Sequence, residues 1–274
     1  MNRRQFLKSS LAGVGAAALA GTCYSFFEAG WIQVSETTLP VAGLSPAFHG
    51  TRVAFLTDLH HGPYTDLAYV QNIVRTTNLL RPDVVVLGGD YSLRDAKYIA
   101  PCIDMLGNLR ARMGVVGVLG NHDYRHGEAQ TRTALAAAKI TELTNDSIVF
   151  EERGERFVVA GVDDFWLGRP SLPQALRNAR RDDSVLLVSH NPDFCETLSD
   201  RRVKLVLSGH THGGQIVFPG ATAPFVPSRY GAKYLRGVVQ APETTVLVSR
   251  GLGTSLLPAR VRSRPEINVV TICS

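Results

Sequence analysis

The chain has 274 residues, enough for one large α/β domain or two small ones with a substantial core. Hydrophobic residues make up 45% and charged residues 19%, ordinary globular levels that exclude a disordered, collagen-like or coiled-coil chain. The net charge is +5, of which Arg3, Arg4 and Lys8 supply three, and the remaining +2 is too slight to argue for specific nucleic-acid binding.

The first feature is MNRRQFLKSSLAGVGAAALAGTCYSFF, in which paired arginines precede an apolar stretch from Leu11 to about Ala20 and no acid falls among the first twenty residues. Through Arg3-Arg4-Gln5-Phe6-Leu7-Lys8 this segment resembles a twin-arginine export signal. The resemblance implies the twin-arginine translocation machinery as a partner, a route that carries folded chains across the bacterial inner membrane. Ala18-Leu19-Ala20 has the small-x-small form of a cleavage site, while Cys23 to Phe27 prolongs the apolar run. An uncut membrane anchor of about 17 apolar-leaning residues, short for a bilayer, is therefore the alternative. The expected organisation is residues 1–27 as export signal or anchor and residues 28–274 as a single domain, in the periplasm or on the outer side of the cytoplasmic membrane. Cys23, Cys102, Cys195 and Cys273 form no CxxC pair and read as structural.

Strand-like runs then alternate with helix-like segments. Val53–Thr57 reads as a strand, Thr65–Leu80 as an amphipathic helix with Leu67, Val70, Ile73 and Val74 on one side, and Asp83–Leu87 as a second strand. Asp95–Leu109 reads as helix, Val115–Leu119 as strand and Glu128–Lys139 as helix. Strands follow at Ile148–Phe150 and Phe157–Val162, then a helix over Leu172–Ala179. Val185–Ser189, Lys204–Leu207, Thr245–Ser249 and Ile267–Ile272 complete the set of strands. The alternation predicts a layered α/β sandwich whose central strands are apolar on both faces.

Polar residues collect at the ends of these strands. Asp58 and His60 follow the first and Asp90 the second; Asn121-His122-Asp123 follow the third, His190 ends a fourth, and His210-Thr211-His212 follow a fifth. Singly, each fragment reads as an ordinary turn or capped loop. Ligands of open α/β sheets gather outside the carboxyl ends of strands, so five such ends are expected to converge on one site. In Gly209–Gly214, GHTHGG, two histidines one residue apart return to the same side of an extended segment and can reach one pocket.

The motifs DLH, GGD, GNHD, SH and GHTH, spread from Val53 to Gln215, resemble the five motifs of the calcineurin-like metallophosphoesterases. The export signal and the form GHTHGGQ are similar to the small bacterial phosphodiesterase branch of that family. The resemblance implies its four-layer αββα sandwich with two divalent metal ions at the strand ends. It implies that Asp58, His60 and His212 hold one ion with Asp90, that Asn121, His190 and His210 hold the other, and that Asp90 bridges them. His122 then protonates the leaving alkoxide and Asp123 orients the ring of His122. Oxygen and imidazole ligands without thiolate suit Mn, Fe or Zn. Two such ions about 3.5–4 Å apart can hold the attacking and leaving oxygens of an in-line displacement at phosphorus, with a bridging hydroxide as nucleophile.

The expected function is an exported phosphoesterase, chiefly a phosphodiesterase, acting on an envelope substrate that is lipid-linked, a nucleotide or a wall polymer. The alternative is a non-catalytic, metal-dependent protein that binds a phosphate-bearing polymer, against which the intact His122 and ligand positions weigh. There is no GxxxxGK[ST] loop for ATP-driven chemistry. His61, beside His60, and Arg229, in the Pro- and Gly-rich stretch Phe218–Arg236 with Lys233, are expected to meet substrate; an adjacent side chain in an extended segment points the other way, which favours a solvated His61 equally. Asp163, Asp164 and Trp166 are expected at the pocket rim, and His49 and His126 on the surface.

Overall fold

A computed structural model describes residues 2–218 and 223–274. After the N-terminal helix α1 (Arg3–Gly30) the order is β1 (Gln33–Pro40), β2 (Arg52–Leu56), α2 (Leu67–Leu79), β3 (Val84–Leu87), α3 (Ile99–Leu106), β4 (Val115–Gly117), α4 (Asn121–Ala137), β5 (Thr141–Glu142), β6 (Asp146–Glu152), β7 (Glu155–Gly161), α5 (Leu172–Ala175), β8 (Val185–Val188), β9 (Val203–Ser208), β10 (Gly237–Gln240), β11 (Thr245–Val248) and β12 (Glu266–Cys273). The strands form two six-stranded sheets, β1-β12-β2-β3-β4-β5 and β10-β11-β9-β8-β7-β6.

Strand alternation explains the layering. In β2, Val53 and Phe55 meet Phe157 and Val159 of the second sheet, while Ala54 and Leu56 pack against Val70 and Ile73 of α2 and Ile103 of α3. In β8, Leu186 and Val188 face the inter-sheet core, while Val185 and Leu187 meet Ala175, Leu176 and Phe194 on the outer face. Each central strand is thus covered on both sides, giving the four-layer αββα sandwich. Removing a large side chain from such a core costs roughly 3–5 kcal/mol.

β2, β3, β4 and β5 run parallel, as do β7, β8, β9 and β11. α2 starts where Asp66 accepts a hydrogen bond from Tyr69 N (2.8 Å), and it buries Val70, Ile73, Val74 and Thr77.

Several boundaries differ from the sequence expectation. α4 begins at Asn121, well before Glu128, so the GNHD motif lies in the first turn of a helix that kinks at Gly127 (φ 157°). α5 is a single turn, and the Asp95–Leu109 segment is a short 3-10 turn followed by α3. α1 is one helix through Gly30, so the boundary expected after residue 27 falls inside it.

Candidate metal centre

Parallel strands deliver their carboxyl ends to one side, and there the two sheets meet. Asp58 and His60 follow β2, Asp90 follows β3, Asn121 opens α4 after β4, His190 follows β8, and His210 and His212 follow β9. All seven are buried. Five of them, Asp58, His60, Asp90, His210 and His212, have φ between 50° and 69°, in the left-handed region that side chains seldom adopt. Neighbouring backbone holds these turns: Asp58 N donates to Gly89 O (3.0 Å), His60 N to Asp90 O (3.0 Å) and Gly209 N to His190 O (3.0 Å). A Cβ at Gly209 would lie 2.2 Å from Asp58 Oδ2, so the glycine before His210 is what lets the β2 and β9 turns touch.

The side chains form two overlapping clusters. His60 Nε2 and His212 Nε2 lie 3.0 Å apart, and Asp58 Oδ1 is 3.4 Å from His212 Nε2. Asp90 Oδ2 lies 3.5 Å from His60 Nε2 and 3.3 Å from His190 Nε2, so one carboxylate oxygen faces both clusters. His190 Nδ1 lies 2.8 Å from Gly88 O. A carbonyl only accepts, so Nδ1 carries a hydrogen and Nε2 faces Asp90; burial opposes charge on the ring, but Asp90 outweighs it and holds His190 well above its ordinary value.

Burial, the largest cause, pushes His60 and His210 down to about 3 and His212 well below its usual value, so these imidazoles are neutral and can ligate. Burial also raises Asp58 to about 6 against the pull of His190. For Asp90, burial opposes charge, but His190 and His122 outweigh it and hold the carboxyl well below its ordinary range.

Asn121 Oδ1, His190 Nε2 and His210 Nε2 are buried without hydrogen-bond partners, although buried polar atoms of this kind are normally satisfied. Asp58, His60 and His212 place ligand atoms close enough for one ion, and Asp58, Asp90 and His190 do the same beside them. A hard or borderline divalent cation fits this donor set.

The calcineurin-like phosphoesterase profile matches residues 51–214, the stretch that carries all of these side chains. The chain belongs to this family. It is a metal-dependent phosphoester hydrolase by membership. Residues 1–21 match the twin-arginine translocation signal, which marks the phosphoesterase for export across the inner membrane. Among its relatives, the metallophosphoesterase YkuE of Bacillus subtilis is 34% identical over 283 aligned residues, covering 100% of this chain and 98% of that protein. The phosphodiesterase YaeI of Escherichia coli is 30% identical over 276 aligned residues, covering 99% of each chain.

Around the centre of this phosphoesterase, four expectations from the sequence are corrected. Asp123 does not orient His122: its carboxylate accepts from Asp90 N (2.7 Å), Gly120 N (2.8 Å) and Tyr91 N (2.9 Å), and so holds the backbone of the Asp90 turn. The neighbour of His122 Nδ1 is His126 Nε2, 3.2 Å away and one helical turn on, so His126 is half-buried behind His122 and not a bare surface residue. His61 is buried, with Nδ1 2.7 Å from Thr65 O and its ring against Tyr98. Arg229 is exposed and reaches the fold through its backbone N, which donates to Asp193 Oδ2 (2.8 Å); it does not line the cleft over the centre. Lys233 is paired with Glu196 and Arg236 with the carbonyl of Arg262.

That cleft is about 460 Å³ and includes Asp90, Asn121, His122, His210 and His212 in its floor. Arg125 lines it, and so does Trp166, whose ring stands edge-on to His210 with centroids 4.3 Å apart. Arg125 escapes a sequence reading that starts α4 at Glu128. Once Asn121 opens the helix, Arg125 falls within a turn of His122. Asp164 lies behind the rim, its carboxylate accepting from Trp166 N (3.0 Å) and Leu167 N (2.7 Å).

Proposed function

We propose that the chain is an exported phosphodiesterase with a two-ion centre, acting on a phosphodiester of the cell envelope from the periplasm or the outer side of the cytoplasmic membrane. Residues 28–274 form its single catalytic domain, and residues 1–27 its export signal or anchor. Asp58, His60, Asp90 and His212 hold one divalent ion; Asp90, Asn121, His190 and His210 hold the other. The observation that carries this reading is the position of Asp90 Oδ2, 3.5 Å from His60 Nε2 and 3.3 Å from His190 Nε2. A carboxylate between two ligand sets offsets the repulsion of two cations.

When bound, Mn, Fe or Zn would supply positive charge at the phosphoryl group and bring the pKa of water toward about 7. The residues of the chain do the rest. His122 N donates to Asp90 Oδ1 (2.8 Å), which places the first turn of α4 over the centre. The His122 ring, 4.7 Å from that of His60, gives the leaving alkoxide its proton. Arg125, at the cleft wall, offers charge to a phosphoryl oxygen.

The reading is tested by Asp90→Ala. Purified wild type is expected to carry two ions per chain by elemental analysis and to hydrolyse bis(p-nitrophenyl) phosphate, whereas the variant retains neither ions nor activity. Two ions still bound to folded Asp90→Ala protein would remove Asp90 from the bridging role.

A further inference from the structure

We propose that the cleft over the centre binds the alkyl chain of an amphiphilic phosphoester drawn from the membrane in which α1 is seated. This deepens, and rests on, the phosphoesterase reading above.

The first observation is the contrast between the two ends of the cleft. Its floor carries Asp90, His122 and His210, and its outer part is walled by Trp166, Phe218, Phe225, Leu256 and Leu257. These walls are open to solvent: Leu256 is 68% exposed, Phe225 62%, Leu257 55% and Phe218 54%. Monomeric soluble proteins seldom leave a contiguous patch of large apolar residues uncovered, and such a patch at the mouth of a polar site marks a ligand or a membrane.

The polar groups of the outer part are already engaged with one another. Gln215 Nε2 donates to Leu257 O (2.9 Å) and Ala259 O (3.2 Å), and Gln215 Oε1 accepts from Ser255 N (3.1 Å). A nucleobase would need such donors and acceptors free. An alkyl chain needs none, and gains from every methylene it buries.

The second observation joins this wall to the N-terminal helix. The loop bearing Leu256 and Leu257 continues to Arg260, whose N donates to Ser25 O of α1 (2.9 Å), and to Ser263, whose N donates to Glu28 Oε1 (2.8 Å). α1 has 28 residues, is apolar enough to cross a bilayer and is almost wholly uncovered by the rest of the chain. At the end that meets this loop it exposes Tyr24, Phe26 and Phe27, followed by Trp31 stacked 3.7 Å under Arg264. Aromatic and basic side chains in this order mark the membrane–water interface. The cleft mouth and the interface end of α1 therefore share one loop, and a chain leaving the bilayer there meets Leu256 and Leu257 before its phosphate reaches Arg125 and His122.

The test uses metal-loaded full-length protein in detergent and a series of p-nitrophenyl alkyl phosphodiesters, ethyl, butyl and octyl, kept below their aggregation limits. The leaving group is the same throughout, so only the chain varies. kcat/KM is expected to rise by roughly 30-fold from ethyl to octyl, a small part of the full transfer effect of six methylenes. In the double variant Phe225→Ser/Leu256→Ser this dependence is expected to flatten to about threefold or less.

A binding measurement stands apart from activity. Trp166 is the sole tryptophan left in a Trp31→Phe chain. In metal-free protein its fluorescence is expected to be quenched by an octyl phosphonate brominated at the chain end, and not by bromide alone. Hydrolysis of the ethyl diester with no chain-length dependence and no quenching would overturn the alkyl-chain site while leaving the phosphoesterase reading intact. Faster turnover of a nucleoside p-nitrophenyl ester than of the octyl ester would place a base in the cleft and also overturn it. Failure to hydrolyse any diester with ions bound would bring down both readings.

Discussion

At the scale of single residues, the centre separates the proposed ligands from the groups that would hold or use them. His122 is expected to act on the leaving group, so His122→Ala should keep the bound ions and lower kcat by roughly 10²–10⁴-fold for an alkyl leaving group. The loss should shrink sharply for nitrophenolate, which needs no proton. Burial is the main cause that holds His122 below its ordinary value of 6.5. Its acid form is therefore lost as pH rises through a value under 6.5, and kcat on poor leaving groups should fall toward neutral pH; an equal loss for both leaving groups would give His122 another role. Asp123 is a positioning residue instead. Asn at this place would turn an amide N–H toward at least one of the three backbone donors that Asp123 accepts, a cost of about 1–3 kcal/mol. Burial pushes Asp123 up to about 7. For a carboxyl raised in the folded state, the favourable contribution is complete below the unfolded pKa near 3.8 and is lost as pH rises through about 7. In metal-stripped protein the difference in melting temperature between wild type and Asp123→Asn should accordingly be narrower at about pH 8 than at about pH 5, and a gap that widens toward pH 8 would contradict the assignment.

At the scale of elements, the turns after β3 and β4 cross backbone against backbone beside the centre. Gly89 has φ 92°, and a Cβ there would lie 2.4 Å from Gly120 N. Gly89→Ala must move backbone against backbone, so it should cost well over 1 kcal/mol and lower ion content. Gly50→Ala is the control: φ is 82°, but the space beside it is open, so it carries backbone strain alone, about 1 kcal/mol, with ion content unchanged. Melting temperature and elemental analysis of the two variants decide the matter. Elements of this kind were unequally legible in the sequence. The interior strands could be read because Val53–Leu56, Val84–Leu87 and Val185–Val188 are apolar on both faces. β1, with the half-buried pattern of QVSETT, and β10, at the outer edge of its sheet, gave no such signal, because edge strands need little apolar surface. The motifs gave the seven side chains that converge. They could not give His126 or Arg125, whose place depends on α4 beginning at Asn121, nor, Trp166 apart, the cleft walls, which come from segments far apart in the chain.

At the scale of the whole molecule, export and folding are linked. The centre takes side chains from both sheets, so it exists only in the folded chain, and the twin-arginine signal fits a protein that crosses the membrane already assembled. Changing Arg3 and Arg4 to Lys should leave folded, active phosphoesterase in the cytoplasm, as read by fractionation and assay; variant protein in normal amounts beyond the inner membrane would refute this. The sheet order adds a condition on timing. β12, the last strand, lies between β1 and β2, pairing with the first in parallel over Glu266–Cys273 and with the second antiparallel. While the ribosome has yet to release Glu266–Cys273, β1 has no neighbour and one edge of β2 stays open. The body cannot close during synthesis, however early Arg3 and Arg4 emerge. A nonsense codon anywhere between α1 and β12 would leave a transcript whose product displays its address but never becomes cargo.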